Sequence, residues 1–298
     1  MDALSTYPGA VPSSQGNSET RRLLRAFMRH RLAKMGLLGL SLIVVAALLG
    51  PLVVPYAADE PDLSAIYAAP SMSHLVGTDQ LGRDLLARLL EGAQVSLSVA
   101  LVATLIATVL GCCYGLLAGM GPLWLDRIMM QVLDAILSIP VLLLVIVSQA
   151  FGESSMLKVI AVIGLASWMG TARLMRTECR RLMETEFVSA AIVGGASSLR
   201  LALVHVLPNA AAPLLVVVTV GVGQAVLIES TLSFLNLGVP STLPSWGNLL
   251  GNGMSSMLSG AWWVVVFPGL MIVLTVLSIN LVGDGLRDIV DPKRRAGV

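Results

Sequence analysis

Six apolar runs dominate this chain, and each is long enough to carry an α-helix across about 30 Å of hydrocarbon. They cover residues 35–57, 94–119, 129–151, 156–176, 211–236 and 262–284. Lipid offers no hydrogen-bond partner to backbone N–H and C=O groups, so such runs fold as helices or as strands of a closed barrel. A barrel would read as short segments of alternating polarity, and none occur here. Only 12% of residues are charged and 56% are hydrophobic, about half the charge of a soluble domain, so water is not the main solvent of the chain. The expected fold is an all-α polytopic membrane protein with six transmembrane helices. Between and around them lie a tail (1–34), an outer segment (58–93), a polar loop (177–210), a second outer, re-entrant segment (237–261) and a tail (285–298).

The distribution of Lys and Arg sets the expected orientation, because short loops rich in them stay in the cytoplasm. With the N-terminus inside, only Arg83, Arg88 and Lys158 of the 19 fall outside. Both termini and the loop 177–210 are then cytoplasmic. The first 20 residues are rich in Ser, Gly and Pro, lack periodicity, and read as a disordered tail. Because about 34 mostly polar residues precede the first apolar run, that run reads as an uncleaved span and not as a signal peptide.

A net charge of +1, with no basic stripe interleaved with aromatics, leaves no footprint for nucleic acid. Cys112 and Cys113 lie inside an apolar run and Cys179 in a polar stretch, which gives no disulfide or zinc spacing. His30, His74 and His205 are too scattered for a metal site, and none is assigned. Gly111, Gly115 and Gly119, one turn after Ala107, make one helix face smooth enough for close contact, within the chain or with another subunit. Asp134, Glu229 and Asp284 are charges within or at the edge of spans; they serve as a proton or ion relay, or as caps and interhelical pairs. Pro140 and Gly238-Val239-Pro240 suggest kinked or re-entrant backbone.

Within the polar loop, Thr185 can cap a short helix with Glu186 in its first turn. Ala190, Ala191, Gly194 and Gly195 give this helix little bulk, while Phe187 and Val188 offer apolar anchors to a partner. Gly195 reads as its stop, and Ser197 or Ser198 as the cap of a second short helix running to Pro208. A docking loop of helix, turn and helix fits this pattern; a plain linker is the alternative.

Ser189-Ala190-Ala191, then Gly195, then His205-Val206-Leu207-Pro208 resemble, in spacing, the Glu-Ala-Ala signature of ABC-importer permeases. Ser189 stands where that family usually has Glu, and His205 where it often has Ile. A His there, with Asn209 after the proline, resembles the peptide-importer branch. Gly77-Thr78-Asp79-Gln80-Leu81-Gly82-Arg83-Asp84, followed by Arg88, Gly92 and Ser96-Leu97, is similar to the segment before the second span of dipeptide, oligopeptide and nickel permeases. Residues 232–238, with Asn236 where Gly is usual, Pro244-Ser245-Trp246-Gly247 and residues 280–288 match as well, so the likeness covers about residues 25–295.

The resemblance implies the C-type subunit of a type I importer in the bacterial inner membrane. Its implied partners are a homologous B-type permease subunit in a heterodimer, two ABC ATPase subunits and an extracytoplasmic substrate-binding protein. The implied ATPase-docking residues are Glu186, Phe187, Ser189, Ala190, Ala191, Gly195, His205, Leu207 and Pro208. No Gly-x-x-x-x-Gly-Lys-Ser/Thr surrounds Lys34, Lys158 or Lys293, so ATP-Mg is expected on the partner subunits, with no cofactor and no catalytic residue here. Ser230, Ser233 and Asn280 are candidates for the translocation path, since a polar group in a span is cheapest facing a cavity; packing hydrogen bonds explain them equally. The expected cargo is di- or oligopeptides, with nickel or metal chelates and glutathione-like thiols as alternatives. Two other classes are a proton-coupled secondary transporter using Asp134 and Glu229, and a membrane scaffold whose loop docks a signalling protein.

Overall fold

The computed structural model describes residues 30–149, 151 and 153–290, and it is all-α apart from turns and one isolated bridge between Thr78 and Asp84. The sequence-expected N-terminal tail, up to residue 29, and residues 291–298 lie outside the described residues. In chain order the helices are α1 (Arg31–Val53), α2 (Leu85–Met120), α3 (Leu123–Leu137), α4 (Val141–Gln149), α5 (Met156–Ser167) and α6 (Met169–Met183). They continue with α7 (Glu186–Val193), α8 (Ser198–Phe234), α9 (Trp246–Gly253) and α10 (Trp263–Val290). Helices α1, α2, α8 and α10 are each long and apolar enough to cross a membrane. The pairs α3/α4 and α5/α6 qualify together, bent by 73° and 42°, which makes six spans if each pair counts as one.

The α3/α4 break falls just before Pro140, whose ring disfavours helical backbone in the residue ahead of it and which has no N–H to donate. Helix α2 begins well ahead of the apolar run at 94–119 because Asp84 caps it, accepting the Ala87 N–H at 2.8 Å. Its 36 residues reach about 54 Å at 1.5 Å per residue, so it projects beyond the hydrocarbon.

Residues 54–84 fold into a compact segment at the end of the bundle opposite α7. Thr78 is fully buried and takes the Ala68 N–H at 2.8 Å, while its carbonyl accepts from Trp263 Nε1 on α10 at 3.1 Å. Asp79 accepts from Leu81 N, Arg83 N and Arg83 Nε, and Asp84 pairs with His74 Nδ1 at 2.9 Å. Arg88, only 2% exposed, donates to the Ala58 carbonyl at 3.0 Å and pairs with Asp59. The polar motif before the second span is therefore the internal scaffold of this segment. Most of its buried polar atoms are paired with one another or with nearby backbone; Arg88 Nε makes no hydrogen bond and lies 3.6 Å from Asp79.

The glycine face of α2 finds its partner within the chain. A Cβ on Gly111 would lie 2.7 Å from the Trp168 carbonyl, and one on Gly119 2.7 Å from Cys179 Cβ, so α6 rides against α2 at near backbone contact. The main core gathers α2, α5, α8, α9 and α10 around fully buried Trp246, whose Nε1 donates to the Leu89 carbonyl at 3.1 Å. A second cluster joins Met175, Cys179 and Leu182 of α6 to Val206 and Ala210 of α8, with Cys112, Leu116 and Met120 of α2 packed against them.

One sequence expectation is corrected. The second helix of the polar loop does not stop at Pro208; it continues as α8 to Phe234. A π-helical stretch over Leu201–Val206 precedes the proline. This wider turn absorbs the clash and the missing N–H that Pro208 would bring to a regular α-helix, and the chain runs on.

Candidate functional site

Helix α7 is a short amphipathic step between two long elements. Thr185 occupies its N-cap with extended backbone, but its hydroxyl donates back to the Leu182 carbonyl instead of accepting from an α7 N–H. The C-terminus is better defined. Gly195 N donates to the Ile192 carbonyl and Ala196 N to the Ala191 carbonyl, each at 3.0 Å, with Gly195 at φ 79°. This is the left-handed stop that glycine adopts without a Cβ clash.

Val188, expected beside Phe187 as a partner anchor, is fully buried and cannot serve as one. It seats α7 on its neighbours, α6 and the π-turn of α8. The surface left open is still apolar. Val193 is 91% exposed, Leu199 69%, Ile192 46% and Phe187 44%, next to exposed Ala190, Gly194 and Gly195. Glu186 and Ser189 are exposed as well, with the Ser189 hydroxyl turned back to the Thr185 carbonyl at 3.2 Å. Ala191 is half-buried. At the root of α8, His205 and Leu207 are half-buried, Pro208 is exposed, and Asn209 donates to the His205 carbonyl.

Charge pairing fixes the base beneath α7. Asp126, in the first turn of α3, accepts from Arg176 Nε at 2.8 Å and Nη2 at 2.6 Å, and lies 2.8 Å from Arg180. A paired guanidinium-carboxylate fork of this kind is directional as well as strong. Asp126→Asn should uncouple α3 from α6 at a cost of about 1–3 kcal/mol. The readout is a thermal midpoint several degrees lower in detergent, with the Asp126→Glu variant closer to wild type.

The intramembrane carboxyl groups belong to separate clusters. Asp134 pairs with Arg173 between α3 and α6. Glu229, fully buried, accepts from Ser233 at 2.8 Å, Ser96 at 3.0 Å and Ser230 at 3.4 Å, and the same Ser96 oxygen accepts the Trp246 N–H that opens α9. Two of the residues named for the path, Ser230 and Ser233, are thus engaged in packing hydrogen bonds, while Asn280 is exposed on α10. None of the three lines the open groove, of about 590 Å³, that runs between α2, α5, α6, α8 and α10. The groove was not legible in the sequence, because its polar members, among them Thr104, Ser167 and Gln224, are isolated within apolar runs.

Residues 111–296 match the family described as binding-protein-dependent transport system inner membrane component. Residues 18–70 match the N-terminal TM domain of oligopeptide transport permease C. A putative peptide transport system permease protein of Brucella abortus is 39% identical over 282 residues, 93% of each chain. A di/tripeptide transport system permease protein of Pseudomonas aeruginosa is 38% identical over 299 residues, 98% of each chain. With matches of this length on an all-helical, multi-span scaffold, the chain belongs to the binding-protein-dependent transport system inner membrane components and is a multi-pass inner-membrane permease.

Proposed function

We propose that this chain is one of two membrane subunits of an ATP-driven importer of short peptides, and that α7 is where an ATPase subunit seats. The observation that carries the docking is the apolar surface of Phe187, Ile192 and Val193 on α7, outside any candidate span, continued by Leu199 in the first turn of α8. Patches of this kind mark interaction sites. Around it, Ala190, Ala191 and Gly195 supply a low-bulk rim, and Glu186, Ser189, His205, Leu207 and Pro208 complete the proposed contact. The α2–α6–α8 cluster underneath makes α7 a stiff attachment instead of a loose tether.

In this reading the α7 end faces the cytoplasm, with both chain termini on that side. The segment 54–84 and α9 then face the binding protein, and a homologous B-type permease completes the path. Two ATPase subunits bind and hydrolyse ATP-Mg; closure of that pair displaces α7 and the helices fixed to it. Peptide cargo is supported by the names of the two relatives.

The test is reconstitution of the complete importer in proteoliposomes, with uptake of a labelled tripeptide measured with and without ATP. Within that assay Gly195→Val is informative, because nothing lies within 4 Å of a Cβ there and the strain comes from backbone alone. A left-handed β-branched residue costs about 1–2 kcal/mol, enough to fray the end of α7 and lower uptake several-fold, while Gly195→Asn stays near wild type. Unchanged uptake and unchanged ATPase co-purification for Gly195→Val would sink the docking assignment.

A further inference from the structure

We propose that the groove beside α8 is this chain's wall of the peptide path and that it reads the peptide main chain, with Thr104 and Gln224 as its main hydrogen-bonding contacts. The proposal rests on the peptide-import reading above and assigns that function to specific residues. Thr104 is 7% exposed, and its Oγ1 has no hydrogen-bond partner. Ser167 Oγ is likewise unpartnered, and both residues line the groove. A buried hydroxyl without a partner costs about 1–3 kcal/mol, so two at one cavity favour a ligand able to satisfy them. Gln224 presents an exposed amide, able both to donate and to accept, on the same cavity.

Val216, Val217 and Val220 of α8, the helix that carries Gln224, give the groove an apolar surface beside the amide. Such a wall accepts varied side chains without choosing among them. The volume, about 590 Å³, lies in the range of small-ligand sites. From Pro213 to Ala225 the groove follows α8 for about 18 Å at 1.5 Å per residue, the length of about five residues of extended peptide at 3.3–3.6 Å each.

The experiment uses the full importer in proteoliposomes and the initial rate of uptake of a labelled tripeptide. Thr104→Val preserves shape and removes the hydroxyl; Gln224→Leu removes the amide. Each is expected to slow uptake about tenfold, the effect of one hydrogen bond lost in a desolvated site. Thr104→Ser stays within about twofold of wild type, and so does Thr231→Val, a control outside the groove whose hydroxyl bonds only its own helix. Wild-type rates in both Thr104→Val and Gln224→Leu overturn the groove assignment alone. Loss of the second permease subunit from either variant on purification also overturns it, since the groove would then be a helix-packing seam. A wild-type complex that accumulates no peptide overturns the functional reading and the groove assignment with it.

Discussion

Replacing Gly115 by leucine is expected to leave little folded protein in the membrane. A Cβ at this position would sit 2.5 Å from the Ala172 carbonyl oxygen, 2.6 Å from Met175 Cβ and 2.8 Å from Arg176 N. Two of these atoms are backbone, which cannot swing aside as a side chain can, so α2 and α6 would have to separate. That separation also loosens Gly111 and Gly119 against the same helix. Overpacking costs about 1–3 kcal/mol where neighbours can yield, and more where they cannot. The thermal midpoint in detergent should fall by at least about 5 °C. Gly170→Ala, on α6 with nothing within 4 Å, serves as the control and should leave it unchanged. Equal midpoints for Gly115→Leu and Gly170→Ala would show that the two helices do not meet as described.

On the docking proposed above, Val193→Asp should have the opposite profile: a stable chain that no longer holds an ATPase subunit. At 91% exposure the side chain contributes almost nothing to folding, so the midpoint should move by no more than a surface substitution moves it. Placed in an apolar seat, a carboxylate must be stripped of water without a partner, a penalty of about 2–4 kcal/mol, or about 30-fold or more in affinity. Co-purification of the ATPase and peptide uptake should fall together. A variant that retains full association removes Val193 from the contact, and with it the central part of the docking surface.

What the sequence made legible follows from how locally each feature is encoded. Helix-length apolar runs need no tertiary information, because lipid forces their conformation. The stop at Gly195 is local as well, and Asn236 obeys the same rule. It closes α8 at φ 57°, with Leu237 N bonded to the Leu232 carbonyl, a left-handed position that Asn tolerates and Gly adopts freely. By contrast, the direction of Val188 depended on what lay beneath α7, and the continuation of α8 past Pro208 depended on a π-turn that no residue in the stretch announces. Ser230 and Ser233 were ambiguous for a similar reason. A serine on a span reads the same whether it faces a cavity or a buried glutamate, and only the position of Glu229 decides between them.

Glu229 also bears on how the end of the bundle opposite α7 would open. Its carboxyl oxygens gather hydroxyls from α2 and α8, and the Ser96 hydroxyl among them also accepts the first N–H of α9. The side chains of Trp246 and Trp263 add two further stitches, to the Leu89 carbonyl and to the segment before α2. Elements sewn together at so many points travel as a single block. In the two-subunit importer proposed above, opening at that end would then be a seam, parting along the line where this block would abut a second permease subunit.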